Sequence, residues 1–355
     1  MCIRDSLDGA PDVRLRSPLL MALVAPARGG SVWALDHLPT GAALLDSLRR
    51  RREPEHAHLE QASGVAPAAT AAGATTIHGQ YRLKEPGLER LVVTDPLPRD
   101  SLIDHFLATG FRWEDLRDLR TMECGDFATA SYSLVPLQCD SARARLFRMG
   151  RVANYRVSLA KEIALEPDIG ALRAWYCISV LNRMSGMEGL GPSLDEVRFA
   201  PELTINLLGG HAPEYYVLID GVRPRAGALG EGGTHLGATS MTLVDTIRAL
   251  NVRVCWDAGV SRFEGDPQMR SATPLSTALG ATRPLPGLPV TPVLHRHGVH
   301  TVSLSEDGFE KVFQGTAVWP TWPLSLRPGQ ELTVRITIQI QETGSGHATS
   351  HHLPV

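Results

Sequence analysis

A chain of 355 residues with a formal net charge of −3 and 21% charged side chains can bury a large core, as one big domain or two smaller ones. It carries no field strong enough to select nucleic acid or an acidic membrane. Its five cysteines, Cys2, Cys124, Cys139, Cys177 and Cys255, are scattered and contain no C-x-x-C, which argues against a disulfide framework or a zinc knuckle and fits reduced thiols in the cytoplasm.

The opening string MCIRDS resembles translated sequencing adapter, so residues 1–6 are read as an artefact and the chain as the tail of a longer polypeptide. LLMALVAPA at 19–27 imitates a signal peptide, but Asp5, Asp8 and Asp12 precede it where positive charge belongs, and it is too short to span a bilayer; it reads as a buried strand. GAALLDSLRRRR at 41–52 fits a short helix, and its basic run, followed at once by Glu53 and Glu55, is a solvated or ion-paired segment. PRDSLIDHFL reads as a second helix, capped by Asp100 or Ser101 and carrying a stripe of Leu102, Phe106 and Leu107.

From there period-two alternation dominates. FATASYSLV, YRVSLAKEIAL, LRAWYCISVL, NVRVCW and GVHTVSLS read as strands, and in LRAWYCISVL one face collects Leu172, Ala174, Tyr176, Ile178 and Val180. In ELTVRITIQIQ, Leu332, Val334, Ile336, Ile338 and Ile340 oppose Thr333, Arg335, Thr337 and Gln339, a half-buried antiparallel strand. The stretches 61–76, 221–237 and 264–289 are poor in core-forming residues and read as long surface loops, with a domain linker at 264–289 as the alternative. GALGEGG at 227–233 lacks the G-K-[ST] of a phosphate loop. Many strands with Gly- and Pro-rich joins give the predicted fold class: all-β, one large antiparallel β-sandwich over residues 7–342 with one or two short helices and a disordered tail at 343–355.

Two polar combs stand out. Alternation puts Glu202, Thr204 and Asn206 on one face of a strand, opposed by Leu203, Ile205 and Leu207. It puts Glu310, Val312, Gln314 and Thr316 together on another. Carboxylates and amides grip vicinal hydroxyls and indoles stack on pyranose faces, so two such combs on neighbouring strands would line a sugar groove, with Trp319 and Trp322 close by. The same groups equally well satisfy one another or seat against a partner domain, and the two tryptophans read first as packing. Glu202 with Glu310 is the one carboxylate pair worth testing for hydrolysis. His295-x-His297-x-x-His300 is the best metal candidate, but a strand would send His300 to the opposite face from the other two, and the residues read as loop histidines; no metal and no cofactor is expected.

Four stretches in order resemble one family. They are GGSVWALDHLPTGAALLDSLRRRREPEH (29–56), LVVTDPLPRDSLIDHFL (91–107), FAPELTINLLGG (199–210), and TVSLSEDGFEKVFQG with WPTWPLSLRPG. The chain is similar, from about Leu7 to Gln341, to the C-terminal domain of the α-amylase and 4-α-glucanotransferase branch of glycoside hydrolase family 57. It departs from that pattern at Ala34, Glu55 and His300. The resemblance implies a galactose mutarotase-like supersandwich that binds α-glucan or maltooligosaccharide and packs on an N-terminal catalytic barrel that this sequence does not match. It singles out Asp36, Arg52, Glu53, His56 and Glu306 as motif residues, and His78, Glu202, Asn206, Glu310, Gln314, Trp319 and Trp322 as candidates for sugar contact. The chain by itself is expected to be non-catalytic. The alternatives are a structural domain without sugar affinity, and an aldose epimerase-like enzyme in which His78 and Glu202 or Glu310 shuttle protons.

Overall fold

The computed structural model describes residues 2–5, 9–62, 83–135, 142–184, 194–262, 285, 287–306 and 308–343. Its first sheet is a meander of β1 (Cys2–Asp5), β2 (Pro11–Arg16), β3 (Leu20–Ala25), β4 (Ser31–His37) and β5 (Ala42–Ala43), each antiparallel to the next. Helix α1 (His56–Ala62) follows, then β6 (Ile103–Ala108), α2 (Trp113–Arg117), β7 (Ser133–Val135), β8 (Arg143–Val152), β9 (Tyr155–Glu166) and β10 (Ala171–Arg183). The remaining strands are β11 (Val197–Ile205), β12 (Tyr215–Ile219), β13 (Gly233–Leu236), β14 (Ser240–Asp245), β15 (Leu250–Arg262), β16 (Leu288–Pro289), β17 (Val293–Ser305), β18 (Gly308–Pro323) and β19 (Gln330–Glu342). A large sheet runs β12-β14-β15-β19-β10-β9-β8-β7, with β16 on the side of β15, and a smaller one runs β13-β17-β18-β11-β6.

All three sheets turn one face into a single core. Leu15 and Val24 enter it from the first sheet, Leu172, Tyr176, Leu332 and Ile336 from the large sheet, and Phe199, Leu203, Val318 and Trp322 from the small one. The inward faces read from LRAWYCISVL and ELTVRITIQIQ are the ones observed, and LLMALVAPA supplies β3 as a buried strand. The outer face of β10 differs from simple alternation. Trp175 and Cys177 are buried there too, beside Arg145 and Glu162, which pair at 3.2 Å with almost no exposure.

Both sequence-predicted helices are corrected. Residues 44–53 contain no helix, because their backbone donors and acceptors are claimed laterally: Leu44 N–H bonds Leu35 O, Asn206 N–H bonds Leu44 O, and Arg50 N–H bonds the Asp95 carboxylate. The capped stretch 98–107 contains no helix and leads into strand β6. Ser101 and Val32 exchange both backbone hydrogen bonds at 2.8 Å, and β6 then pairs with β11. Tertiary pairing outweighs a helical propensity that contributes only tenths of a kcal/mol per residue. FATASYSLV is a turn until Ser133, where β7 begins. The stretch 221–237 is irregular through Gly232 and ends in edge strand β13; the buried Arg296 guanidinium pins it by donating to the carbonyls of Ala226, Ala228 and Glu231. Most of 61–76 and of 264–289, and the tail from 344, lie outside the described residues.

Candidate functional site

Strand register decides what the small sheet shows on its outside. Leu203 pairs with Val318 and Ile205 with Thr316, and these face the core. Their neighbours Thr204 and Ala317 must face outward, and the same register sets Glu202 opposite Trp319 on that face. His295 pairs with Trp319 and His297 with Ala317 on β17, while His105 pairs with Ala200 on β6. One sheet face thus gathers His105, Glu202, Thr204, His295, His297 and Trp319.

The charges on this face are fixed by hydrogen bonds. Arg99 donates Nη1–H to Glu202 Oε1 (2.6 Å) and Nε–H to Asp95 Oδ2 (2.9 Å), and its Nη2 also meets Asp95 Oδ1. Arg50 donates to the same Asp95 carboxylate at 2.7 and 3.0 Å. Burial alone would raise the Asp95 and Glu202 carboxyls, but the guanidiniums of Arg50 and Arg99 beside Asp95, and Arg99 and His105 beside Glu202, hold both below their ordinary values. His105 sits between two carboxylates: Nδ1 is 2.6 Å from Glu123 Oε2, and Nε2 is 3.5 Å from Glu202 Oε2. Burial opposes its charge, yet Glu123 and Glu202 overcome that and push the imidazole up to about 10. His295 and His297 go the other way. Burial, with Arg198 near one and Arg99 near the other, brings them to about 4 and about 3. One histidine of the face is an imidazolium at neutral pH and two are neutral.

A cleft of about 320 Å³ opens over this floor between residues 95–99, α2 and residues 119–129. Glu202, His105 and Trp319 lie at its base, and Pro96, Leu97, Pro98, Leu107 and Leu116 form apolar walls. A second depression of about 360 Å³ shares Pro98 and Arg99 with it and is lined by Trp33, Asp36, Asp46 and Arg49. There burial, then Asp46, raise the Asp36 carboxyl.

The family model for the C-terminal domain of alpha-amylase/4-alpha-glucanotransferase matches residues 5–264 and 292–336. The chain belongs to that family. It is similar to alpha-amylase 1 of Dictyoglomus thermophilum, 25% identical over 94% of this chain and 40% of the relative. It is also similar to the 4-alpha-glucanotransferase of Thermococcus kodakarensis, 28% identical over 47% of this chain and 25% of the relative. The crystal structure of the 4-alpha-glucanotransferase from Thermococcus litoralis matches in fold, with a TM-score of 0.62 and 17% identity over 96% of this chain and 39% of that one. The chain thus spans less than half the length of the relatives it matches.

Within this C-terminal family domain the motif residues take mixed places. The Gly29–Gly30 pair has positive φ (67° and 58°), and a side chain on Gly29 would run into the Ala128 carbonyl. His56 is a structural pin: Nδ1 accepts from Glu53 N–H, so Nε2–H donates to Val302 O at 2.8 Å. Arg52 and Glu306 are exposed, and Asp36 lines the second depression. Trp322 is wholly buried in the core against Phe199, whereas Trp319 reaches the cleft. Asn206 lies past the end of β11 and donates to Asp46 O. His78 lies outside the described residues.

The second comb breaks at a bulge. Gly315 pairs with Val299 but Phe313 pairs with His300, so Gln314 is an extra residue on β18. Thr316 therefore faces the core, donating to Leu229 O, while Gln314 bonds Thr301 Oγ1. Glu310 pairs with Lys84 at 2.7 Å. It stands nine residues along β18 from Trp319, roughly 30 Å from Glu202, far beyond the separation any carboxylate pair uses for hydrolysis. His295, His297 and His300 lie on β17 and not in a loop; among the described residues no group of three His, Cys, Asp or Glu is arranged to hold a metal ion.

His105, Arg99, Asp95 and Glu123 are the site residues that sequence reasoning missed, because the helical reading of PRDSLIDHFL sent His105 to no particular partner. Its environment yields a pH prediction. A histidine raised in the folded state contributes stability below its unfolded value near 6.5 and loses it as pH climbs toward about 10. Urea unfolding should therefore show stability falling across that window, and a His105→Gln variant should lack the fall. An unchanged slope in the variant would show that the ion pairs with Glu123 and Glu202 are not formed.

Proposed function

We propose that this domain is the accessory carbohydrate-binding domain of an α-1,4-glucan-processing enzyme, an α-amylase or 4-α-glucanotransferase of glycoside hydrolase family 57. In this reading a catalytic barrel elsewhere in the parent polypeptide performs the retaining double displacement, and this domain packs on it, shapes the groove and holds glucan. The observation that carries the binding role is the cleft over Trp319, Glu202 and His105, which joins apolar walls to fixed polar groups as small-ligand pockets do. The non-catalytic reading is supported by the carboxylates themselves: Glu202 is engaged by Arg99, Glu310 by Lys84, and they are far apart. The scattered cysteines without a C-x-x-C are the sequence feature behind a cytoplasmic setting for the parent; among the described residues no helix is long and apolar enough to cross a membrane.

Calorimetric titration with maltoheptaose tests the reading. Binding heat at millimolar ligand, without new reducing ends, is the expected result. No heat at those concentrations would favour a domain that only braces its partner, and starch cleavage lost on Glu202→Gln would overturn the non-catalytic assignment.

The epimerase-like alternative gains a candidate pair in His105 and Glu202. Their titration works against it: an acid near 10 and a carboxylate held below its usual range are both far from the working pH that proton shuttling favours. Polarimetry on fresh α-glucose at the rate of buffer alone is the expected outcome.

A further inference from the structure

We propose that the cleft over Trp319 takes the terminal ring of a neutral saccharide end-on, with the indole N–H donating to an oxygen of that ring. This rests on the glucan-binding reading and narrows it to one place and one class of sugar.

Trp319 is only 5% exposed and lines the cleft, yet its indole N–H has no hydrogen-bond partner among the described residues. His105 Nε2 beside it is turned instead to Glu202 Oε2 at 3.5 Å, so the indole is the donor left over on this floor. Buried polar groups are ordinarily satisfied, so an indole donor on a residue that lines a cavity calls for an acceptor that enters it. A hydroxyl or ring oxygen of a sugar is such an acceptor, and a neighbouring hydroxyl of the same ring can donate to the Glu202 carboxylate, which lines the cleft and whose two oxygens also meet Arg99 and His105.

The floor also fixes the charge of the ligand. The carboxylates of Asp95, Glu123 and Glu202 are matched by Arg50, Arg99 and His105, each in direct contact with a partner of opposite sign. An added carboxylate, phosphate or ammonium would be buried with no counter-charge left to meet it, which is costly. A neutral ring carries no such penalty. The walls of Pro96, Leu97, Pro98, Leu107 and Leu116 suit the C–H face of a pyranose, and Thr121 and Thr129 add hydroxyls to the lining. At about 320 Å³ the cleft is at the small end of ligand sites, which fits one chain end and not a chain lying across it.

The test is calorimetry on the full chain with maltotriose, and competition by glucuronic acid, glucose 6-phosphate and glucosamine. Trp319→Phe keeps a ring and removes the donor; binding about ten-fold weaker, the loss of one hydrogen bond, is expected with an unchanged melting temperature. Leu97→Trp, at a half-buried wall position, should block entry to the same extent and decides the matter alone if Trp319→Phe fails to fold. The three charged sugars should not compete. Maltotriose binding unaffected in Leu97→Trp would overturn the cleft while leaving the glucan-binding reading intact. Equal competition by the charged sugars would overturn the neutral class. No maltotriose binding to the wild-type chain would overturn both this inference and the reading beneath it.

Discussion

Replacing Arg99 with alanine is expected to destabilise the domain by about 3–5 kcal/mol in urea unfolding at neutral pH. One guanidinium bridges Asp95 and Glu202, and the three side chains are 4%, 2% and 7% exposed. Without it Asp95 retains Arg50, so the cost falls on Glu202, a carboxylate left in the protein interior with His105 and the Thr204 hydroxyl. Lysine should rescue little, because the planar fork that reaches both carboxylates has no ammonium equivalent. The acid limb of the stability curve checks the same idea. Burial raises Glu202, but Arg99 and His105 outweigh it and hold the carboxyl below 4.5; Asp95 is likewise held below 3.8. Such groups contribute stability above their unfolded values and lose it as pH falls through the depressed folded ones. Wild type should therefore keep its margin over Arg99→Ala through the ordinary carboxylate range and surrender it below. A loss under about 1 kcal/mol at neutral pH would place these groups in solvent-like surroundings and sink the account.

Lys161→Met should cost a similar amount, about 3–5 kcal/mol, for a different reason. Lys161 Nζ lies 2.8 Å from Asp104 Oδ2 with both side chains wholly buried, and it also donates to Leu102 O at 2.9 Å. Tyr132 donates to the same carboxylate oxygen at 2.7 Å, and the ammonium lies 5.3 and 5.4 Å from the ring centroids of Tyr132 and Tyr176. Burial pulls the lysine down and pushes Asp104 up, and in each the desolvation outweighs the opposing attraction of the partner. Methionine at 161 leaves Asp104 with only the tyrosine hydroxyl and no counter-charge. The double change Lys161→Met/Asp104→Leu should recover most of the loss, since the apolar pair has nothing to desolvate. The network joins β9 of the large sheet to β6 of the small one, with Gly29 O, in the turn between β3 and β4, 3.5 Å from Nζ. Failure of the double variant to recover would mean that this junction needs its polar contacts for sheet docking.

The hydrophobic face of β19 was legible because five branched residues alternate without interruption, and alternation over that length has one structural meaning. The β3 strand was legible for another reason: its apolar run is too short to span a bilayer and follows aspartates where a signal peptide needs positive charge. Strand β6 was not. Asp100 and Ser101 look like helix caps in isolation, and only the Val32–Ser101 exchange and the pairing with β11 show that their backbone groups are taken by neighbouring strands. The comb of Glu202 and Thr204 was readable from its own strand, yet its partners were not. A one-residue bulge at Gln314 changes which side of β18 each earlier residue faces, and no local pattern marks it.

From residues alone came the all-β class, the inward face of the longest strands and a family assignment resting on four ordered motifs, because strand alternation and short motifs are properties of neighbours in the chain. Which histidine is charged, which tryptophan reaches a cleft, and that Glu202 and Glu310 are strangers were settled only by packing. Charge state and cavity depend on groups brought together from residues 50, 95–105, 123, 202 and 319, and their distances are set by how the sheets register and stack, not by any stretch read on its own.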